Sequence, residues 1–191
     1  GDPQQLNPVI LLGELTNQKL RRKYHVADEY DYRKNSIYKT YLACDAVSDE
    51  VLLRNHYRCN KEIIGFNNKK YYNSKLQIQS KSRETHPLVY VDVKSNQPQI
   101  KNTSPAEVDE VVAYAQQNPD KSIAVITPFV NQKTLIEQAI KENELENLVC
   151  GTVHAFQGDE KDVVLFSTAL SDRTNTGTYQ WLKNNKELIN V

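Results

Sequence analysis

From about residue 50 onward, short apolar runs alternate with amphipathic stretches along the chain. The apolar runs are rich in β-branched residues and are too short for helices, which is typical of buried strands. They predict strands in four segments, LVYVDV at 88–93, SIAVITP at 122–128, LVCGTV at 148–153 and DVVLFSTAL at 162–170.

The stretches between these runs have helical periodicity or helical composition. NKEIIGFNNKKYY, SPAEVDEVVAYA, the segment after Pro128 and TYQWLKNNKELI each predict a helix. The expected inner faces carry Ile63, Phe66 and Tyr71 in the first helix, Val108, Val111, Val112 and Ala115 in the second, and Leu135, Ile136, Ala139 and Ile140 in the third.

The tetrapeptide SPAE marks the start of the second of these helices. Its pattern is typical of a capping box, with Ser104 as the cap, Pro105 at the first helical position and Glu107 reaching back to the cap. We therefore expect a helix to begin directly after Ser104.

The alternation of strands and helices predicts an α/β fold with a parallel sheet flanked by helices. In such sheets ligands gather beyond the carboxyl ends of the strands. Thr127, Thr152 and Ser167 lie toward the carboxyl ends of the predicted strands, so we expect all three at that edge. Residues 9–50 lack a consistent period and are interpreted as a connecting region with one or two helices, in which the RRK run is a solvated face.

Composition excludes some classes of protein and leaves others open. Lys plus Arg total 24 and Asp plus Glu total 24, so affinity for nucleic acid must come from local placement of charge. The three cysteines are far apart and suggest neither a disulfide framework nor a zinc site. No apolar run approaches the roughly 20 residues needed to cross a bilayer, so we expect a cytoplasmic protein with no membrane partner.

Four segments occur in an order that carries more information than any one of them. They are GDPQQLNP at 1–8, LLRNHYRCNKEIIGFNNKKYYNSKL at 52–76, IAVITPFVNQKTLIEQ at 123–138 and GTVHAFQGDEKDVVLFS at 151–167. Together they resemble motif III, motif IV, the segment called IVa and motif V of superfamily 1 helicases. The resemblance is to the branch typified by the nonsense-mediated-decay RNA helicase and its DNA-processing relatives.

The resemblance implies a second RecA-like domain of the P-loop NTPase type that binds ATP in a cleft shared with a first one. Gln5 would offer its amide to the γ-phosphate or the attacking water, and Arg58 would act as an arginine finger. Glu160 would accept hydrogen bonds on the nucleotide side, and Gly158 would allow close approach of the backbone. Gln5, Arg58 and Glu160 are thus the expected catalytic residues.

On the nucleic-acid side, the resemblance assigns contacts to the strand ends. Thr127, Pro128 and Thr152 would contact phosphates, which fixes position without reading sequence. His154 would stack on or hydrogen-bond to the single strand of DNA or RNA. One side of the loop that begins at Gly151 would then face the single-stranded nucleic acid, and the other side would face the nucleotide.

The sequence lacks a GxxxxGK[ST] phosphate loop and an acidic strand-end motif for Mg²⁺. The absence of methionine and the turn-like first residues lead us to expect a piece of a longer protein. We assign residues 1–50 to the tail of the first RecA-like domain and a connection, and residues 51–191 to a second domain that lacks its C-terminal end, where motif VI would begin. ATP and Mg²⁺ would be held mostly by the first domain, so we expect the isolated chain to bind neither tightly and to be inactive.

Other interpretations stay open. Arg58 could be a surface salt-bridge residue, His154 could cap its loop, and Thr127 could simply end its strand. For the whole protein, the alternatives to a helicase that moves along a single strand are a non-catalytic nucleic-acid or protein-binding module and a remodelling ATPase without unwinding activity.

Overall fold

The computed structural model describes residues 2–5, 9–45, 49–81, 84–94, 102–156 and 159–190. The chain divides into two compact units. The first comprises the residues up to Leu88 together with Asn190, and the second comprises Val89–Ile189. The predicted domain boundary after residue 50 stays a prediction.

The described residues of the first unit form three α-helices, a 3₁₀ turn and a pair of short strands. In chain order they are α1 (Glu14–Lys23), a 3₁₀ turn (Asp28–Tyr30), α2 (Ile37–Cys44), β1 (Asn55–His56), α3 (Lys61–Tyr71) and β2 (Gln77–Ile78). The two strands pair in parallel. The prediction of one or two helices within residues 9–50 is confirmed.

A buried polar cluster anchors α1, which has no apolar inner face. Asn17 donates to Asp31 Oδ1 at 2.9 Å, and Arg21 donates to Asp31 Oδ2 at 2.9 Å. Arg21 also pairs with Asp28. Asn17 and Asp31 are both buried. The interpretation of the RRK run as a solvated face is therefore wrong for Arg21, because its guanidinium binds the carboxylates of Asp28 and Asp31 in the same unit.

The helix α3 is confirmed, but its predicted inner face is wrong in part. The buried residues are Ile64, Asn68 and Tyr71, whereas Ile63 and Phe66 are exposed. The buried face of α3 is thus rotated from the predicted one, and Asn68 accounts for the difference. Its side chain donates to Leu76 O at 3.1 Å and accepts from Leu76 N–H at 2.9 Å. A polar side chain that binds backbone can thus occupy the inner face.

The second unit carries the main sheet. Its elements are α4 (Pro105–Gln117), β3 (Ile123–Thr127), α5 (Val130–Glu142), β4 (Leu148–Thr152), a 3₁₀ turn (Val153–Phe156), β5 (Val163–Phe166), α6 (Thr176–Asn184) and a 3₁₀ turn (Lys186–Ile189). The sheet order is β4–β3–β5, and both pairings are parallel. The predicted α/β fold with a parallel sheet flanked by helices is confirmed.

The core of this unit lies between the sheet and the two helices α4 and α5. Its buried side chains are Val108, Val111, Ala115, Ile123, Val125, Ile136 and Leu148. Leu135, Ala139 and Ile140 pack against this core, as the helical pattern predicts. Burying a side chain of valine, leucine or isoleucine contributes about 1.5–3 kcal/mol, so this cluster holds the sheet and its helices together.

The capping box is only half confirmed. Ser104 Oγ accepts from Glu107 N–H at 3.4 Å, but the carboxylate of Glu107 does not reach back to the cap. It accepts from Ser167 Oγ at 2.7 Å and from Ala169 N–H at 3.1 Å instead. The N–H of Ser104 goes to Gln132 Oε1 at 2.7 Å, which leaves Glu107 free to hold the chain after β5.

The predicted strand at 88–93 is wrong. The described segment forms no ladder, and its residues Leu88, Val89, Tyr90 and Val91 are exposed. A strand needs a neighbour for its N–H and C=O groups, and none of the described strands pairs with this segment. No helix in the described ranges is both long enough and apolar enough to span a bilayer.

Candidate functional site

The site residues expected from sequence are distributed over both units. Gln5 and Arg58 lie in the first unit, and the other described ones lie in the second. Gly158 and its neighbour Gln157 lie outside the described residues. The groups within each unit are therefore described separately.

In the second unit, three strand ends meet at one edge of the sheet. Thr127 and Thr152 are direct partners in the pairing of β3 with β4. Ser167 N–H donates to Ile126 O at 2.9 Å, so the end of β5 lies beside them. The prediction that Thr127, Thr152 and Ser167 share the carboxyl edge is confirmed.

The side chains at this edge differ in exposure. Thr127 is fully buried, and its hydroxyl accepts from Phe129 N–H at 3.3 Å, which shapes the turn before α5. Pro128 and Thr152 are half-buried. Thr152 thus has side-chain surface that a phosphate group can contact, whereas the Thr127 hydroxyl faces the protein.

The chain after Thr152 folds back over the end of β4. Val153 is buried, while His154 and Ala155 are exposed on the 3₁₀ turn. Gly151 is necessary for this packing because a Cβ there would lie 2.7 Å from the Phe156 ring and 2.9 Å from Ala155 Cβ. The turn therefore holds His154 on the surface, next to the edge that Thr152 ends.

The acidic part of this loop has two different environments. Asp162 accepts from Ser122 Oγ at 2.6 Å and from Ser122 N–H at 2.9 Å, and the hydroxyl contact is the main reason that its pKa is lowered. Asp159 accepts from Glu160 N–H at 2.9 Å, and this contact chiefly lowers its pKa. Glu160 itself is exposed. Asp162 therefore anchors the loop to the start of β3, whereas Glu160 lies on the surface.

In the first unit, Arg58 lies on the loop between β1 and α3. His56 Nε2 accepts from Cys59 N–H at 2.9 Å, so the imidazole closes this loop around Arg58. Burial, and next the charge of Arg58, lower the pKa of His56. The neutral ring is the form that can accept at Nε2. His56 thus supports the loop that holds the exposed Arg58.

Gln5 ends a turn that Asp2 organises. Asp2 Oδ1 accepts from Gln4 N–H at 2.9 Å, and Asp2 O accepts from Gln5 N–H at 3.3 Å. The other carboxylate oxygen, Oδ2, accepts from the hydroxyl of Tyr72 at 2.6 Å. The sequence reasoning missed Tyr72, since a tyrosine 70 positions from Asp2 gives no pattern that links the two.

Within the described ranges, no group of three or more His, Cys, Asp or Glu residues is arranged to hold a metal ion. The Asp31 carboxylate accepts from Asn17 and Arg21, and Glu107 Oε2 accepts from Ser167 and Ala169. Neither arrangement fits a Mg²⁺ site, which takes carboxylate oxygens together with waters or phosphate oxygens.

Comparison with known proteins gives the family of this arrangement. A family model described as an AAA domain matches residues 33–191. The chain is 25% identical over 206 residues to RNA helicase Mov10l1 of Mus musculus, covering 90% of this chain and 17% of the relative.

Two further relatives are also named as helicases. The probable helicase with zinc finger domain of Homo sapiens is 25% identical over 207 residues, covering 99% of this chain and 10% of the relative. Helicase sen1 of Schizosaccharomyces pombe is 25% identical over 197 residues, covering 90% of this chain and 11% of the relative. The chain therefore spans between a tenth and about a sixth of the length of these relatives.

Proposed function

The chain belongs to the AAA domain family and is a motor-domain region of a superfamily 1 helicase, and on that basis we propose that it works as the second RecA-like domain of a longer ATP-dependent helicase. In that protein it couples ATP hydrolysis to movement along single-stranded DNA or RNA. The observation that carries this proposal is the family match over residues 33–191, which includes the whole parallel sheet and its carboxyl edge.

We assign the nucleotide side to Gln5, Arg58 and Glu160, with Gly158 as a backbone neighbour. Phosphoryl transfer needs positive charge where negative charge accumulates on the transferred group, and a planar guanidinium supplies two donors in a fixed geometry. The exposure of Arg58 and the closure of its loop by His56 support this role. Gln5 is held by a turn that is fixed to its own unit, which suits a group that responds to the γ-phosphate.

We assign the nucleic-acid side to the carboxyl edge of the sheet. Thr152, at the end of β4, and His154, in the turn after it, contact the single-stranded nucleic acid. Thr127 and Pro128 contribute from the end of β3. The half-exposed Thr152 and the exposed His154 support direct contact. The burial of Thr127 supports a contribution through the turn that its hydroxyl holds.

We further propose that the 191-residue chain is inactive alone. It has no GxxxxGK[ST] phosphate loop, and none of its described acidic clusters fits Mg²⁺. ATP and Mg²⁺ then bind mostly to the first RecA-like domain, which is the partner of this region within one protein. The two motor domains together supply the charges that hydrolysis needs.

Strand displacement by the longer protein tests the proposal. A duplex with a single-stranded tail is mixed with the protein, ATP and Mg²⁺, and the released strand is measured beside ATP hydrolysis. The proposal predicts both activities. Hydrolysis without strand release favours the remodelling ATPase, and the absence of both favours the non-catalytic module.

A further inference from the structure

The hydroxyl of Tyr72 lies at the centre of a hydrogen-bond cluster around the turn that carries Gln5. It donates to Asp2 Oδ2 at 2.6 Å and accepts from Asn190 Nδ2 at 3.0 Å. Asn190 is buried and also donates to Gln4 O at 3.0 Å. The turn is therefore held at a carboxylate by Tyr72 and at a carbonyl by Asn190.

The bond from Tyr72 reaches the group that organises this turn. Asp2 uses one carboxylate oxygen and its carbonyl for the N–H groups of Gln4 and Gln5, which leaves the second carboxylate oxygen for Tyr72. A hydrogen bond to an ionised carboxylate is about twice as strong as one between neutral groups. Removing the Tyr72 hydroxyl therefore loosens the carboxylate on which the turn depends.

The chemical state of Tyr72 suits a permanent donor. Burial, and next the hydrogen bond to Asp2, raise the pKa of the Tyr72 hydroxyl, although hydrogen bonds from Asn190 and Gln5 oppose this change. The hydroxyl thus stays protonated at neutral pH. The contact with Gln5 also joins its side chain to the same cluster.

The helix α3 connects this cluster to Arg58. Tyr72 directly follows the last residue of α3, and Arg58 precedes the first by three positions. Asn68, near the C-terminal end of α3, ties the helix to the chain before β2. One helix therefore carries both the loop of Arg58 and the contact to the turn of Gln5.

We propose that Tyr72 is a positioning residue that holds Gln5 in place and couples it, through α3, to the loop of Arg58. The proposal rests on the proposed nucleotide role of Gln5. It gives a role to a residue of the segment 52–76 that had none, and it gives α3 a function beyond packing.

The test replaces Tyr72 with phenylalanine in the longer protein, which removes the hydroxyl and keeps the ring. The proposal predicts that Tyr72→Phe lowers kcat of nucleic-acid-stimulated ATP hydrolysis by about tenfold, the size expected when one charge-assisted hydrogen bond is lost. KM for ATP stays close to the unsubstituted value. Tyr41→Phe, in an exposed tyrosine of α2, is the matched control and keeps kcat.

A double-mutant cycle with Asp2→Ala tests the same hydrogen bond from the side of its acceptor. Asp2→Ala lowers kcat as well, and because both residues act through one hydrogen bond, the combined variant is no slower than Asp2→Ala alone. Additive losses overturn the inference. So does an unchanged kcat in Tyr72→Phe, with or without a fall in Tm, because that result leaves the hydroxyl with a structural role only.

The two proposals fail in different ways. If the unsubstituted longer protein hydrolyses no ATP in the presence of single strands, the proposed function is overturned and the positioning role with it. If it hydrolyses ATP and Tyr72→Phe does so equally fast, only the positioning role is overturned.

Discussion

At the scale of single residues, Arg58 has the largest predicted effect. Its guanidinium is the described group of the first unit that we assign to the charge on the transferred phosphoryl group. Arg58→Ala in the longer protein is expected to lower the ATPase rate by about a thousandfold or more, as loss of an arginine finger does. Steady-state hydrolysis measures this change.

The matched control is Arg54→Ala, which removes an exposed arginine just before β1. It is expected to keep the rate, because Arg54 contributes its backbone carbonyl to the pairing with β2 and that carbonyl survives the substitution. A normal rate in Arg58→Ala would remove this residue from the catalytic group and leave it as a surface arginine.

Thr152 gives a prediction for the other side of the site. Thr152→Ala removes a hydroxyl from the carboxyl edge, so we expect weaker binding of single-stranded nucleic acid and unchanged binding of nucleotide. Fluorescence anisotropy of a labelled oligonucleotide measures the first effect. Thr134→Ala is the control, since that hydroxyl bonds within α5 to Val130 O at 3.0 Å. Equal affinity in Thr152→Ala and the control would contradict the assignment.

Gln132 gives a prediction about stability. It is fully buried and bonds Ser104 through both its amide atoms and Ser167 through its Nε2. Gln132→Ala leaves the Ser104 N–H unsatisfied, so a loss of about 1–3 kcal/mol in the free energy of unfolding is expected. Urea unfolding measures the loss. Gln138→Ala, on the exposed side of the same helix, should change it by less than about 0.5 kcal/mol, and equal losses would contradict this account.

At the scale of elements, the fold of the turn after β4 depends on Gly151. Gly151→Ala would force its new Cβ against the Phe156 ring and Ala155, so the turn must shift. Overpacking of this kind costs about 1–3 kcal/mol, and the shift should also weaken binding of single strands through His154. Circular dichroism during urea unfolding measures the stability of the variant.

Gly65→Ala provides the opposite result in the same assay. Nothing lies within 4 Å of the Cβ that it would add, and Gly65 is inside α3. Alanine is favoured over glycine in a helix by about 0.5–1 kcal/mol, so this variant should be more stable than the unsubstituted chain. A Gly151→Ala variant that is also more stable would contradict the packing described for the turn.

The sequence predicted the elements whose apolar residues face one core. The strands β3, β4 and β5 and the helices α4 and α5 follow from periodicity because their inner residues are aliphatic. The shared edge of Thr127 and Thr152 follows from the parallel order alone. The roles of Arg58 and His154 come from the family resemblance and stay predictions.

What the sequence did not predict depends on polar groups and on pairing partners. Asn68 and Gln132 occupy inner faces of helices but break the apolar pattern. Each can be buried because its amide forms hydrogen bonds with backbone. The segment 88–93 has the composition of a strand without a partner among the described strands. Glu107 has the spacing of a capping residue, yet it holds Ser167 and Ala169.

For the whole molecule, the net charge and the length of the chain bear on how it can act. The formal net charge is zero, so a single strand must be held by local groups such as those at the carboxyl edge of the sheet. The chain spans 10–17% of the length of three relatives named as helicases. Its proposed work is therefore that of one motor domain, which acts with a phosphate-loop domain elsewhere in a longer protein.

The decisive measurement is ATP hydrolysis by the longer protein, with and without single-stranded nucleic acid. We expect hydrolysis that rises severalfold or more when the single strand is added, and no hydrolysis by the 191-residue chain under either condition. A longer protein that hydrolyses no ATP, or whose rate is indifferent to the single strand, would contradict the proposed function.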